Sequence, residues 1–251
     1  MVKKVFLLGL PGSGKSTAAR YIEKLAQRNN WSSIRFNDYA ILYEWFQADA
    51  DGRRFSAIEY DGFDVHDHNV FDEALEEVER RVVEKEKVSC EKNQLIIIEF
   101  ARDDYCKALG LFSPTFLRNA SFLFVDADIP NCIQRIKERV AHRRTPDDHY
   151  VSSYIFEAYY QKDNRQYLAS TATTLKSCCD IDEESIHVVD NTGSNAEQKF
   201  LEKIEPYVTS ILEVHAPASE REPVMASSDG KMQIVTVNGA TNISSSWSIP
   251  D

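Results

Sequence analysis

Residues 9–17 read Gly9-Leu10-Pro11-Gly12-Ser13-Gly14-Lys15-Ser16-Thr17 and match the pattern G-x-x-x-x-G-K-[ST]. The apolar run that ends at Leu8 predicts a strand over residues 4–9, and apolar residues at helical spacing predict a helix over residues 15–28. A turn of this composition between a strand and a helix is typical of a phosphate-binding loop. We therefore expect residues 9–17 to bind the phosphates of a nucleotide.

The amides and side chains of this loop predict a nucleoside triphosphate with magnesium. Its glycines let successive backbone N–H groups turn toward one anion, and the N-terminus of the following helix adds a partial positive charge. Lys15 can reach the outer phosphates, and the Ser16 hydroxyl can bind Mg²⁺. The sequence favours ATP and leaves GTP open. The predicted nucleotide-binding residues of the loop are Gly9, Pro11, Gly12, Ser13, Gly14, Lys15, Ser16 and Thr17.

The bulk composition predicts one main domain with an appendage, since the chain has 251 residues, of which 43% are hydrophobic and 27% charged. It contains no apolar run near the ~20 residues that a membrane span needs, and its N-terminus has no signal pattern. We expect a cytoplasmic protein without membrane contact. The formal net charge of −11 disfavours a long nucleic acid as a partner, because it would repel a polyanion.

Cysteine usage predicts reduced thiols. The five cysteines are an odd number without C-x-x-C spacing, which favours free thiols over a disulfide framework or a zinc site. The adjacent Cys178 and Cys179 are expected to be packing or loop residues.

Strand and helix patterns alternate along residues 1–213. Predicted strands cover 4–9, 33–36, 94–99, 121–126 and 186–189, and predicted helices cover 15–28, 39–48, 68–88, 129–142, 150–168 and 195–213. Alternation of this kind predicts an α/β fold, in which a parallel five-stranded sheet carries helices on both faces. Because ligands of such sheets bind at the carboxyl ends of the strands, we expect the site at that edge.

Two buried strands end in an acid at this edge. Glu99 follows the apolar run Leu95 to Ile98, and Asp126 ends the run from Phe122. A carboxylate beside the phosphate loop can bind magnesium or its water. Glu99 is the predicted metal ligand together with Ser16 if its strand neighbours the first; Asp126, and then Asp128, are the alternatives if it does not.

Asp38 follows the second strand in Arg35-Phe36-Asn37-Asp38-Tyr39. It fits two roles that do not exclude each other. As an N-cap it would stabilise the next helix. At the edge of the sheet it would face the acceptor and could take a proton from an attacking hydroxyl.

Arginines recur at helical spacing after the fourth strand. Arg135, Arg139 and Arg143 can point from one face of a helix, and guanidinium groups suit phosphate oxygens. We interpret residues near 135–168 as a helical lid with Arg139 and Arg143 as catalytic cations and Arg135 as a nucleotide contact; the alternative is a solvated helix face with cations near its C-terminus. The aromatic residues after Tyr150 are expected to form the core of that lid.

The last strand and the C-terminal tail complete the prediction. Asn191, in the turn Asp190 to Ser194, could line an adenine pocket. After Val214 the composition shifts to Pro, Ser, Ala and Glu, which predicts a flexible tail over 214–251. A hairpin around Asn238-Gly239 could form within 232–244 and could contact a protein partner.

The chain resembles the P-loop kinases of the adenylate kinase and polynucleotide kinase type over about residues 1–213. The order of phosphate loop, acid-ended strand, arginine-rich segment and terminal turn carries this resemblance. It implies a sheet order of 2-3-1-4-5, which favours Glu99 over Asp126, and Asp38 matches the position of a general base in the polynucleotide kinases. The segment from Arg135 to Arg144 resembles their lid.

The resemblance implies a Mg²⁺- and ATP-dependent phosphotransferase. Its acceptor would be a small metabolite, a nucleoside or nucleotide, or a nucleic-acid end. The other hypothesis is a nucleotide-gated ATPase or interaction protein that signals to a partner through the lid and tail.

Overall fold

The computed structural model describes residues 1–89, 92–142, 147–160, 175–193 and 197–213, and the strand residues 227–228 and 231–232. The chain divides into two units, Met1–Leu212 and Glu213–Asp251. In the second unit, Ser227–Ser228 pairs antiparallel with Lys231–Met232. The hairpin predicted over 232–244 lies outside the described residues beyond position 232.

The first unit is an α/β fold. Its main strands are β1 (Val2–Leu8), β2 (Ser32–Asn37), β5 (Gln94–Phe100), β6 (Ser121–Asp126) and β7 (Ile186–Asp190), and a short pair consists of β3 (Phe55–Ala57) and β4 (Phe63–Val65). The helices are α1 (Lys15–Arg28), α2 (Asp38–Ala48), α3 (Asn69–Val88), α4 (Tyr105–Leu109), α5 (Pro114–Leu117), α6 (Ile129–Ala141), α7 (Ser153–Ala158) and α8 (Glu197–Glu213); residues 175–179 are also helical and Glu183–Ser185 form a 3₁₀ turn.

The main sheet confirms the predicted topology. Its five strands are parallel and lie in the order β2-β5-β1-β6-β7, which is 2-3-1-4-5 when only these strands are counted. Side chains alternate between the two faces, since Phe6 and Leu8 pack into one core while Val5 and Leu7 pack into the other. Helices α3, α4, α6 and α7 contribute to the first core, and α1 and α8 cover the second. Burial on both faces explains the continuous apolar runs of β5 and β6.

The helix predicted from the aromatic spacing after Tyr150 is too long at its start and over its described residues. Of the helix predicted over 150–168, the structure describes residues 150–160, and within these only Ser153–Ala158 are helical. Ser152 caps this helix by accepting a hydrogen bond from the Ile155 amide. Aromatic spacing suggested the longer helix, but the Tyr150 segment instead packs as an irregular chain against the first core.

The expectation of reduced thiols is also wrong for two cysteines. Cys106 on α4 and Cys178 form a disulfide across a separation of 72 residues, with Cα atoms 6.1 Å apart. The fold brings them within the range that a disulfide requires, which sequence spacing alone does not reveal. Cys132 and Cys179 are free thiols.

Candidate active site

The phosphate loop connects β1 to α1, with Gly14 as the residue before the first helical turn. Gly12 has a φ of +79°, and a Cβ atom at this position would lie 2.5 Å from the carbonyl oxygen of Cys132 on α6. Only glycine fits this backbone and this contact. The amide of Gly9 donates a hydrogen bond of 2.7 Å to the hydroxyl of Tyr105, which fixes the start of the loop.

Lys15 is buried within the loop, with 7% of its surface exposed. Its ammonium group donates to the carbonyl oxygens of Gly9 and Leu10, both at 2.9 Å. Burial lowers the pKa of Lys15, while the carboxylates of Glu99 and Asp38 act in the opposite direction. Two loop carbonyl oxygens therefore hold the ammonium group, which has no direct carboxylate partner among the described residues.

Ser13 and Ser16 place further polar groups at the loop. The Ser13 hydroxyl is buried and has no hydrogen-bond partner among the residues that the structure describes. The Ser16 hydroxyl donates to Glu99 Oε1 at 2.8 Å. Lys15 and the unpartnered Ser13 hydroxyl fit the phosphate chain of a nucleotide. The Ser16 hydroxyl and the Glu99 carboxylate fit a hard, oxygen-binding cation such as Mg²⁺.

Glu99, rather than its alternatives, contacts Ser16. Strand β5 pairs directly with β1, and Glu99 lies opposite Leu7 in that register. Asp126 ends β6 on the other side of β1, and Asp128 caps α6 by accepting the Asn131 amide at 2.8 Å. The strand order thus explains which acid lies beside the loop.

Arg35 connects Glu99 to the segment after α6. Its Nη2 donates to Glu99 Oε2 at 2.5 Å, and its Nη1 donates to Asp147 Oδ2 at 3.0 Å. Arg20 on α1 binds the same Asp147 oxygen at 2.7 Å and also contacts Thr17 Oγ1 at 3.3 Å. Burial lowers the pKa of Arg35, but Glu99 and Asp147 outweigh it and the net shift is upward. The sequence alone does not indicate a role for Arg35, although this residue lies in the predicted second strand.

Asp38 is the first residue of α2 and is not the cap. Asn37 caps the helix, since its side chain accepts the Ala40 amide at 2.8 Å. The Asp38 carboxylate forms a buried ion pair with Arg102, whose side chain is 2% exposed. Arg102 also donates to the carbonyl oxygens of Ala101 and Phe71. The sequence did not identify Arg102 as a site residue. The signal that could have found it is its position just after β5, at the carboxyl edge of the sheet where Asp38 also lies.

The predicted lid arginines have separate partners. Arg135 Nη2 donates to the carbonyl oxygens of Asn191 and Gly193 at 2.7 and 2.8 Å. Arg139 Nη2 donates to the His149 carbonyl oxygen at 2.7 Å, and burial lowers the pKa of Arg139. Arg143 lies outside the described residues.

Asn191 lies against the phosphate loop. Its Nδ2 donates to the Ser13 carbonyl oxygen at 2.7 Å, and its backbone amide donates to the backbone carbonyl oxygen of Asp126 at 2.7 Å. Arg135 Nη1 donates to the same Ser13 carbonyl oxygen at 3.4 Å. Asn191 and Arg135 therefore connect the turn after β7 to the phosphate loop.

A cleft of about 940 Å³ extends from the loop. Pro11, Lys15 and Ser16 line one end, with Arg35 and Glu99 next to them. Beyond Asp38 the lining is mainly aromatic and apolar: Tyr39, Leu42, Tyr43, Phe46, Phe63, Phe71, Phe100, His149, Tyr150, Ile155 and Tyr160. The cleft thus joins the predicted nucleotide end to a second compartment large enough for a small molecule.

The family model described as an AAA domain matches residues 5–155, which is more than half of the chain. The chain belongs to this family. Together with the strand order, the match confirms the P-loop kinase-like fold expected from the sequence. A comparison with curated protein sequences found no match.

Several solved structures are similar at low identity. An APS kinase from Mycobacterium tuberculosis is 13% identical, with 82% of this chain and 97% of that chain covered and a TM-score of 0.43. A shikimate kinase from Acinetobacter baumannii is 11% identical, with coverages of 86% and 97% and a TM-score of 0.42. A sugar kinase from Janibacter sp. is 11% identical, with coverages of 86% and 100% and a TM-score of 0.39.

Among the described residues, no helix has the length and apolar character to cross a membrane.

Proposed function

We propose that this protein is a Mg²⁺-dependent kinase that transfers the γ-phosphoryl group of ATP to a hydroxyl group of a small molecule. The observation that carries the proposal is the hydrogen bond from Ser16 to Glu99 beside Lys15. This arrangement lies at one end of a cleft whose next compartment begins at a carboxylate, Asp38. Phosphoryl transfer needs these parts: a phosphate cradle, a metal holder and a group that orients the acceptor.

Each residue has a stated role in the proposal. The loop amides and Lys15 bind the β- and γ-phosphates, and Ser16 and Glu99 hold Mg²⁺, which neutralises developing negative charge when bound. Asp38, fixed by Arg102, accepts a hydrogen bond from the acceptor hydroxyl and takes its proton. The acceptor oxygen then forms a bond to the γ-phosphorus as the bond to the β–γ bridging oxygen breaks, which leaves ADP.

The lid and the terminal turn supply the remaining roles. Arg139, and Arg143 outside the described residues, provide positive charge for the transferred group. Arg135 and Asn191 fix the turn that we assign to the base of the nucleotide, by binding the loop and the turn together. ATP is our preferred donor, with GTP as the other choice.

We propose the class of acceptor and the location of the protein on the same basis. A small metabolite, a nucleoside or nucleotide, or a nucleic-acid end would fit the reaction, and the net charge of −11 disfavours a long nucleic acid. Cytoplasmic location stays a prediction. So does the nucleotide-gated alternative, because it depends on a tail whose side chains lie outside the described residues.

The first test compares Lys15→Ala with Lys24→Ala. Both lysines belong to α1, but Lys15 is buried in the loop whereas Lys24 is exposed. Turnover should fall by at least about 100-fold in Lys15→Ala, since removing one preorganised donor to the charge that develops in the transition state costs about 2.7–4 kcal/mol. Mg²⁺-ATP affinity should fall as well. Lys24→Ala should match the wild type. Full ATP affinity and turnover in folded Lys15→Ala would refute the proposal.

A further inference from the structure

The second compartment of the cleft contains a ladder of rings. His149 stacks on Tyr39 with centroids 3.5 Å apart, Tyr39 stacks on Phe63 at 5.4 Å, and Phe63 stacks on Phe46 at 5.1 Å. The interplanar angles are 12°, 22° and 21°, so the four rings are nearly parallel. We call His149, Tyr39, Phe63 and Phe46 the ring ladder. All four line the cleft and are only partly buried, so the compartment presents aromatic surface to whatever binds there.

The cations of the cleft are engaged with the protein itself. Among the residues that the structure describes, Lys15 and Arg35 are the lining side chains with a fixed positive charge. Lys15 lies within the phosphate loop, and both terminal nitrogens of Arg35 bind carboxylates. Behind the lining, Arg102 is committed to Asp38 and to two backbone carbonyl oxygens. A phosphate or carboxylate on the acceptor would therefore find no guanidinium fork open to it among the described side chains that line the cleft.

Four of the six acids that line the cleft are paired with arginines, namely Asp38, Glu44, Glu99 and Asp147. The other two, Asp61 and Asp148, also have interactions within the protein. Arg102 pairs with Asp38, and Arg81 binds Glu44 through two nitrogens at 3.0 and 2.6 Å. Asp147 is held between Arg20 and Arg35. A cationic acceptor would have to compete with these guanidinium groups for carboxylates that they already bind. Because a charge transferred from water without a compensating partner is costly, the compartment disfavours charge of either sign.

We propose that the acceptor is an electrically neutral alcohol that carries a flat ring, such as a nucleoside or an aryl-bearing alcohol, rather than a phosphorylated or carboxylated compound. The proposal rests on the proposed kinase function, because it identifies the second compartment as the acceptor site. The ring packs against the ring ladder, and the hydroxyl group points to Asp38. The neutral acceptor needs no counter-charge beyond those already paired in the cleft.

Binding of charge-matched compounds tests this inference without requiring catalysis. The panel contains neutral nucleosides with their 5′-monophosphates, and 2-phenylethanol with phenylacetate and 2-phenylethylamine. Affinities are measured by calorimetry on the full chain in the presence of Mg²⁺ and a non-hydrolysable ATP analogue. At least one neutral compound should bind at least tenfold more tightly than its charged counterparts. Equal or tighter binding of the charged counterparts, or no binding by any neutral compound, overturns the inference.

Ring-ladder variants locate the binding site. Tyr39→Leu keeps apolar volume but removes the ring that contacts two neighbours, and should weaken binding of the preferred neutral compound at least tenfold. Tyr39→Phe keeps the ring and should recover most of that loss. Tyr154→Leu is the matched control, because Tyr154 is exposed and does not line the cleft. Thermal unfolding of each variant and binding of the ATP analogue verify that the fold and the nucleotide end are intact. Unchanged binding in folded Tyr39→Leu overturns the assignment.

The two proposals fail in different ways. A neutral compound that binds preferentially but receives no phosphoryl group from ATP would contradict the kinase function and support the neutral-ligand site. Transfer to a phosphorylated or carboxylated member of the panel in preference to its neutral partner would support the kinase and overturn the neutral acceptor.

Discussion

Arg35 and Glu99 form an ion pair, with Nη2 and Oε2 2.5 Å apart, where β2 and β5 end side by side. The other Glu99 oxygen accepts the Ser16 hydroxyl, and the other Arg35 nitrogen binds Asp147 beyond α6. One carboxylate therefore contacts both the phosphate loop and the cation that holds Asp147. Any cation that binds Glu99 has to share it with Arg35.

Removing that competing charge should strengthen metal binding. A unit charge about 4 Å away contributes up to about 4 kcal/mol near a protein surface, so we expect Arg35→Met to bind Mn²⁺ about tenfold more tightly in the presence of ADP. Electron paramagnetic resonance of free Mn²⁺ measures this directly. Arg20→Met is the control, because Arg20 contacts Asp147 but not Glu99. Equal Mn²⁺ affinity in wild type and both folded variants would show that Arg35 does not compete with the metal.

The Asp38–Arg102 pair separates a structural from a catalytic role. Asp38→Asn leaves the buried Arg102 without its carboxylate, which should cost about 3–5 kcal/mol of unfolding free energy and abolish phosphoryl transfer. The double variant Asp38→Asn/Arg102→Met removes both charges and should recover much of the stability but none of the transfer. Urea unfolding and label transfer provide the two measurements. Recovery of transfer in the double variant would mean that Asp38 serves only to neutralise Arg102.

Two glycines with nearly the same positive φ angle test the packing of the phosphate loop. Gly12 and Gly193 have φ values of +79° and +81°, but a Cβ atom on Gly12 would meet Cys132, whereas one on Gly193 has no neighbour within 4 Å among the described residues. Gly193→Ala should cost about 1–2 kcal/mol, the ordinary strain of an alanine in this region. Gly12→Ala carries the same strain plus the clash, and should lose nucleotide binding. Similar stability and ATP affinity in both variants would contradict this account of the loop.

Cys132 should be a poor nucleophile despite its place beside the loop. Burial raises the pKa of this thiol to about 12, so the thiolate, which is the reactive form, is a very small fraction of the thiol at pH 8. Alkylation by N-ethylmaleimide should be slow at pH 8, rise about tenfold per pH unit toward pH 10, and become fast on unfolding. Mass spectrometry identifies the modified residue. Rapid alkylation of Cys132 in the folded protein at pH 8 would contradict the pKa shift.

The sequence predicted the parts of the site that depend on local order. The phosphate loop follows from spacing alone, and Glu99 follows from an apolar run that ends in an acid, once its strand is placed beside the first. The strand order confirms that placement. Local patterns suffice here because parallel strands bring their carboxyl ends to one edge.

Contacts between distant segments could not be predicted in this way. Arg35 and Asp147 lie 112 positions apart, Asp38 and Arg102 lie 64 apart, and the cysteines of the disulfide lie 72 apart. Each depends on how loops after different strands pack, which hydrophobic periodicity does not encode. The length of the helix Ser153–Ala158 was predicted wrongly for a related reason. The aromatic residues beside it pack into the core rather than along one face of a longer helix.

The most direct test of the central claim is the fate of the γ-phosphoryl group. The protein is incubated with Mg²⁺ and γ-labelled ATP, with and without a pool of nucleosides, nucleotides, sugars, aryl alcohols and 5′-hydroxyl oligonucleotides. We predict label on a small hydroxyl compound, in wild type and in Lys24→Ala but not in Lys15→Ala. Label found only in inorganic phosphate, at the same rate with and without the pool and despite tight ATP binding, would contradict the kinase and favour a nucleotide-gated protein.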